Sequence, residues 1–297
     1  MTSQDTFASG EARIVDRGYR KYDGPRTGMV GAVRTVVVHS LQRSLGMRRT
    51  LWAKVFPTIA VAMAYIPAIV FIGILALFPA RQTADLVLPT YGDYYGFVIS
   101  AIILFTAFVA PEVMCTDRRT GMLGVYLASP LDRSSYWLAK ATSIAISLSL
   151  VCLGPPLLML IANLLQSQGP AAQADRVLPT TFHVLVTGVV LTLFFTGITM
   201  GVTSLTDRKF VATAGIILLY LISLSVVGSM RAAGSPNGVA AFAPSLLSME
   251  LAQRIHGEYS PIMLSVPSAT VWLAWAAWTF GGFGLSWYRI KTLPVTR

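Results

Sequence analysis

The chain of 297 residues predicts an all-α membrane protein with six transmembrane helices, and three observations carry that expectation. Six stretches contain no Asp, Glu, Lys or Arg: Val55–Ala80, Tyr94–Pro111, Ala141–Ala174, Val177–Thr206, Phe210–Met230 and Tyr259–Tyr288. A hydrocarbon core of roughly 30 Å needs about 20 apolar residues in a helix. Charged residues make up 12% of the chain and hydrophobic ones 54%, against roughly 25% charged in a soluble domain. The third observation is where the positive charge sits. With the N-terminus inside, only Arg81, Arg176, Arg231 and Arg254 of the 23 Lys and Arg fall outside. That bias satisfies the positive-inside rule and puts both termini on the inner side. The net charge of +10 therefore reports topology, not a nucleic-acid ligand.

Residues 1–52 form the expected cytoplasmic N-terminal segment. It lacks a signal peptide's apolar core and cleavage site, and it turns at Tyr22–Pro25. Met29–Thr50 reads as an amphipathic interface helix: Val30, Val33, Val37, Leu41 and Leu45 share one stripe, with Thr35, His39, Gln42 and Arg43 opposite. Arg34 intrudes on the stripe. Arg43, Arg48, Arg49 and Lys54 crowd the end, which suits the inner interface and anionic lipid.

Residues 53–288 hold the six-helix transmembrane domain. Span 1 runs from about Ala53 to Phe78 and contains Pro57 and Pro67; span 2 runs from Tyr94 to Cys115. Span 3 covers Ala139–Gln166 with Pro155-Pro156 inside it, and span 4 covers Thr181–Leu205. Prolines in such helices produce kinks whose freed carbonyls need other donors. Thr206–Lys209 is so short that spans 4 and 5 must be antiparallel neighbours. Gly197 and Gly201 fit the small-xxx-small pattern, read as packing within the chain. The breaker-rich stretch Ala232–Met249 is no span. Pro244–His256 predicts a short extracytoplasmic helix, re-entrant or interfacial, with Leu246, Leu247, Met249 and Leu251 apolar and Glu250, Gln253 and Arg254 polar. Span 6 ends in the aromatic belt residues Trp287 and Tyr288; residues 289–297 are a short cytoplasmic tail.

No catalytic constellation is legible. The chain has no G-x-x-x-x-G-K-[ST], no H-E-x-x-H, no zinc spacing and no G-x-S-x-G. Its histidines, His39, His183 and His256, are expected far apart at different depths or sides. Cys115 and Cys152 read as buried, unpaired thiols. Ion-coupled carriers keep ionisable groups within the membrane; here the charge-free cores offer only Asn163, His183 and scattered Ser/Thr. A driving force supplied by a partner is the resulting expectation.

The inner loop between spans 2 and 3 is the expected docking site for that partner. A cluster formed by Glu112, Asp117, Arg118 and Arg119 precedes Gly121 and a short apolar run, which Ser129-Pro130 ends before Arg133. Met122, Leu123, Tyr126 and Leu127 would give a one-to-two-turn helix with an apolar face toward the cytosol, better buried in another protein than in water.

This arrangement resembles the permease subunits of type-2 ABC exporters. Asp117-Arg118, Gly121, Ser129-Pro130-Leu131, Arg133 and Lys140 match that family's order and spacing, while Arg119, Met122 and Gly124 depart from it. The resemblance implies a permease in the plasma (inner) membrane of a prokaryotic cell. It implies separate ABC ATPase subunits as partners, a second permease copy or paralogue, and ATP with Mg²⁺ held by the ATPase, with no cofactor in this chain and no activity as an enzyme by itself. It also implies coupling through Gly121–Pro130. The apolar lining favours a drug, lipid or peptide as cargo. A membrane anchor recruiting a cytosolic partner, or a membrane-embedded enzyme, are the alternatives.

Overall fold

The computed structural model describes residues 24, 28–47, 51–77, 90–166 and 174–293. Among these, every regular element is helical: α1 (Gly28–Ser44), α2 (Leu51–Leu77), α3 (Tyr91–Arg119), α4 (Met122–Ala128), α5 (Arg133–Cys152), α6 (Gly154–Gln166), α7 (Ala174–Ser204), α8 (Lys209–Ala232), a 3-10 turn (Asn237–Phe242), α9 (Pro244–Ile255) and α10 (Ser268–Thr292). Five segments are long and apolar enough to cross a membrane: Lys54–Leu77 of α2, α3, α5, Val177–Ser204 of α7, and α8. The expected sixth span, α10, has 25 residues but misses that hydropathy. Trp272, Trp275, Trp278, Gly281, Gly282 and Gly284 dilute its aliphatic content.

Helix α3 is the hub, touching α1, α2, α4, α5, α7, α8 and α9. Its two ends, near Tyr91 and near Arg119, give the bundle its two poles. Tyr94, Tyr95, Val98, Ile102, Phe105, Val109 and Val113 recur at helical spacing along α3 and are buried. The most apolar windows of α3 and α7 are 61% and 72% buried, those of α2 and α8 only 17% and 22%. Exposed Phe56, Ile59, Met63 and Ile66 on α2, and Phe210, Leu218 and Leu221 on α8, leave wide apolar faces. A face of that kind belongs against lipid or another helix, not water.

Helices α7 and α10 pack most closely. A methyl group on Gly282 would collide with the carbonyl of Gly197, and one on Gly197 with that of Thr279. The small-residue stripe thus serves contact inside the chain, where short side chains let two backbones approach.

Span 3 differs from its expectation. It begins at Arg133, not Ala139, and it breaks at Leu153 into α5 and α6. Pro155 and Pro156 lack the N–H groups that Val151 and Cys152 carbonyls would otherwise accept. Tyr95 Oη donates to Cys152 O at 2.8 Å and Tyr65 Oη to Leu150 O at 2.9 Å, so phenols replace lost backbone donors. Gly154 makes room for that Tyr65 hydroxyl. The other prolines of the long helices, Pro57, Pro67, Pro111 and Pro179, stay within continuous helix.

At the Tyr91 pole, α9 forms where the short helix was expected and packs on α3, α7, α8 and α10. Leu247 and Leu251 are buried, but so are Glu250 and Gln253, which the sequence marked only as polar. Their partners explain the correction. Arg254 Nε reaches Glu250 Oε1 at 2.5 Å. Its guanidinium also donates to Met263 O, Val266 O and Ser268 Oγ at 3.0, 2.7 and 2.9 Å. Gln253 Nε2 donates to Asp93 Oδ1 at 2.9 Å and Thr90 Oγ1 to Glu258 Oε2 at 2.8 Å. These bonds pin the segment before α10 to the start of α3.

Candidate functional site: a buried ion network beneath α4

Helix α3 extends through Arg119, so Asp117, Arg118 and Arg119 belong to its last turn and not to a loop. Basic side chains there complement the negative end of the helix dipole. Gly121, at φ +68°, then turns the chain into α4; glycine adopts that left-handed conformation without the steric penalty a Cβ brings. Ser129 ends α4 with extended geometry and donates its hydroxyl to Tyr126 O at 2.5 Å. Pro130 is exposed, whereas Leu131 folds back against Val36 and Ala139.

Seven residues make two turns, and their periodicity separates two faces. Leu123, Tyr126 and Leu127 stand at i, i+3 and i+4 and turn inward, Leu123 being 8% exposed. Met122 and Val125, three apart on the other side, are 37% and 63% exposed. The expected cytosol-facing set of Met122, Leu123, Tyr126 and Leu127 had merged these faces. The outward edge is Met122, Val125 and Ala128.

Directly below lies a cluster of fully or largely buried charges. Asp117 and Lys140 have no solvent exposure. Lys140 Nζ meets Asp117 Oδ2 at 2.5 Å and donates to Ser40 Oγ at 2.8 Å. Arg43 Nη2 meets Asp117 Oδ1 at 2.6 Å, and Tyr136 Oη donates to Oδ2 at 3.1 Å. One carboxylate on α3 therefore accepts from three side chains on two other helices, Arg43 of α1 and Lys140 and Tyr136 of α5. Lys140 also sits over the Tyr136 and Tyr126 rings, 5.5 and 5.7 Å from their centroids. Such contact stabilises a desolvated ammonium. Glu112, one turn and a half earlier, pairs with Lys209 Nζ at 2.5 Å and stands 3.9 Å from Arg43 Nε. Burial raises the Tyr126 phenol's proton affinity, and the Asp117 charge adds to it while Arg43 opposes it.

Two arginines extend this scaffold to other helix ends. Arg118 donates to Ser204 O and Thr203 O, both at 2.8 Å, and stands 3.7 Å from Asp207. It thereby satisfies carbonyls that the end of α7 leaves without helical partners. Arg133 does the same for α10, donating to Ile290 O at 3.1 Å and also to Lys291 O. Arg119 is exposed.

The sequence placed Arg43 with Arg34, Arg48 and Arg49 on a lipid-facing helix. Arg34, which intruded on the apolar stripe, is exposed, but Arg43 points inward with Ser40 and Ser44, and Val30 lies on the exposed side of α1. The reason is the partner: a buried carboxylate and the Ser44–Ser147 hydroxyl contact at 3.1 Å reward a polar inner seam. Arg48 and Arg49 lie outside the described residues. Lys140, which the sequence marked only as opening span 3, is the central cation. Cys115 and Cys152 are free and buried.

No protein-family model matches the chain, and no curated protein matches it.

Proposed function

We propose that this chain is the membrane-spanning permease subunit of an ATP-driven exporter, docking a separate ATPase through α4. In this reading the protein crosses the membrane six times, α10 being the last crossing, with both termini and the Arg119 pole in the cytoplasm. Two permeases, identical or related, face each other and move a hydrophobic or amphipathic cargo. The ATPase supplies ATP hydrolysis, so the chain itself is not an enzyme.

The observation that carries the proposal is the exposed edge of α4 mounted on buried ion pairs. A lever must present a surface and must not bend at its base. Met122 and Val125 provide the surface; Asp117 and Lys140, with Arg43, fix α4's two flanking helices to α1. Force applied to α4 reaches α3 and α5 through covalent bonds and reaches α7 and α10 through Arg118 and Arg133. Packed and bonded elements in contact with one another are a physical route by which coupling travels between sites.

The test is Val125→Asp together with Met122→Asp in the full chain. Both side chains point away from the core, so the unfolding midpoint in detergent is expected to stay near that of the wild type. Co-purification with an ATPase carrying a Walker lysine, and ATP-dependent efflux, are expected to fall by roughly tenfold or more, as for central interface residues. Unaltered efflux and ATPase capture would overturn the proposal; capture of a different regulator at the same edge would favour a membrane anchor.

A further inference from the structure

The three histidines were expected at separate places, yet α7 and α9 bring two of them together. His183 and His256 have ring centroids 5.9 Å apart, with planes tilted by 54°. His256 follows the last turn of α9 and stacks on Tyr91, 6.1 Å between centroids and 18° between planes. Its Nδ1 lies 2.9 Å from Ala252 O and 3.5 Å from Thr187 Oγ1.

These contacts settle the tautomer. A carbonyl oxygen only accepts, so His256 Nδ1 carries a proton. The Thr187 hydroxyl cannot reverse that, because it donates to His183 O at 2.8 Å. In the neutral ring the lone pair then resides on Nε2. That atom is buried and has no hydrogen-bond partner among the described residues. A buried acceptor without a donor costs free energy, and native proteins rarely leave one so.

An imidazole whose Nδ1–H is fixed by a backbone carbonyl, with Nε2 left bare, is arranged as metal-ligating histidines are. His183 provides a second imidazole on a different helix. With metal–nitrogen bonds of about 2.0–2.1 Å, two imidazoles on one tetrahedral ion have centroids about 5 Å apart. The observed separation is within reach of a modest side-chain rotation. Among the described residues no group of three or more His, Cys, Asp or Glu gathers into a metal site. Water would fill the remaining positions.

We propose that His183 and His256 form a two-histidine site for a divalent transition-metal ion, of the zinc, nickel or copper class, that ties α7 to α9. Imidazole nitrogen suits these ions, whereas magnesium and calcium demand oxygen. A bound ion would give the orphaned Nε2 its partner and clamp the segment that Glu250, Gln253 and Arg254 already hold. The site is independent of the exporter reading.

The experiment titrates Ni²⁺ or Zn²⁺ into the purified full chain, following the thermal midpoint and competition with a chromophoric chelator, with Mg²⁺ as control. The wild type and His39→Gln are expected to bind one equivalent and to unfold at higher temperature. Affinity is expected to drop roughly tenfold or more in either His183→Gln or His256→Gln. Where a variant is less stable without metal, the Cu²⁺ spectrum at low temperature reads ligation directly: two nitrogen ligands in the wild type, fewer in each variant. Binding that survives in the double variant, or no ion held by the wild type, would overturn the site.

Discussion

At the Arg119 pole, Arg43 and Asp117 meet across 74 residues of chain, and Lys140 reaches Ser40 across 100. At the Tyr91 pole, Glu250 and Arg254 meet across one helical turn. Both poles bury ion pairs, but the first joins separate helices while the second stiffens one helix and the turn beside it. Burying charge is costly unless each ion is paired and hydrogen-bonded. A long-range network meets that cost only when α1, α3 and α5 are all docked. The local pair meets most of it as soon as α9 and the following turn form. The Arg119 pole is therefore the cooperative one, suited to moving as a single body.

The sharpest way to break this contrast is Asp117→Asn. Lys140 would keep its burial but lose its counter-ion, and Arg43 would lose its closest partner. Removing one member of a buried pair costs about 3–5 kcal/mol. A fall of that size is expected in the free energy of unfolding in detergent, and adding Lys140→Met should restore much of it. A loss without any rescue would show that Asp117 acts by some route other than pairing with Lys140.

Glu250→Gln probes the other pole and should cost less. Arg254 would keep Met263 O, Val266 O and Ser268 Oγ as acceptors. One charge-assisted hydrogen bond is lost, worth about 1.5–3 kcal/mol. Ser260 N also donates to Glu250 Oε2 at 3.2 Å, and the glutamine can retain that contact. Faster hydrogen exchange confined to residues 256–267 is expected, with α1 and α5 unaffected. Exchange that spreads across the bundle would erase the distinction between local and long-range pairing.

What the sequence revealed divides along the same line. Helix positions followed from charge-free length, and the α5–α6 break was legible in Pro155-Pro156. Glu250 and Arg254 were read only as polar residues of a short helix, neither as a pair nor as buried. Arg43 was misplaced because helical periodicity reports polarity, and a polar residue on α1 reads as outward until its partner is known. The partner lies in a helix 74 residues later. Ser40 and Ser44, flanking Arg43 on α1, were the available sign of a polar inner seam. The two faces of α4 were separable in principle, since Leu123, Tyr126 and Leu127 share one helical face and Met122 and Val125 the other. The approach of His183 to His256 left no trace in spacing, because it depends on how α9 docks against α7.

The smallest expected effect separates local structure at the surface from local structure in the interior. Asp132 caps α5 in a reciprocal box: its Oδ1 accepts from Ser135 N at 2.8 Å, and its own N–H donates to Ser135 Oγ at 3.0 Å. The Ser135 hydroxyl, followed by the Ser135 N–H, holds this carboxyl below its ordinary value of 3.8. A lowered folded-state value means the carboxylate stabilises the folded protein above that ordinary value. The contribution is lost as pH falls through the folded-state value. Asp132→Asn keeps an acceptor for the cap and carries no charge to titrate. The variant is expected to unfold at nearly the wild-type midpoint at neutral pH and to show a shallower decline below pH 4. Because Asp132 is solvent-exposed, that difference should be smaller than the Glu250 effect and should shrink in high salt. An acid decline identical in the two proteins would assign the titration to another carboxylate and leave the cap a purely geometric device.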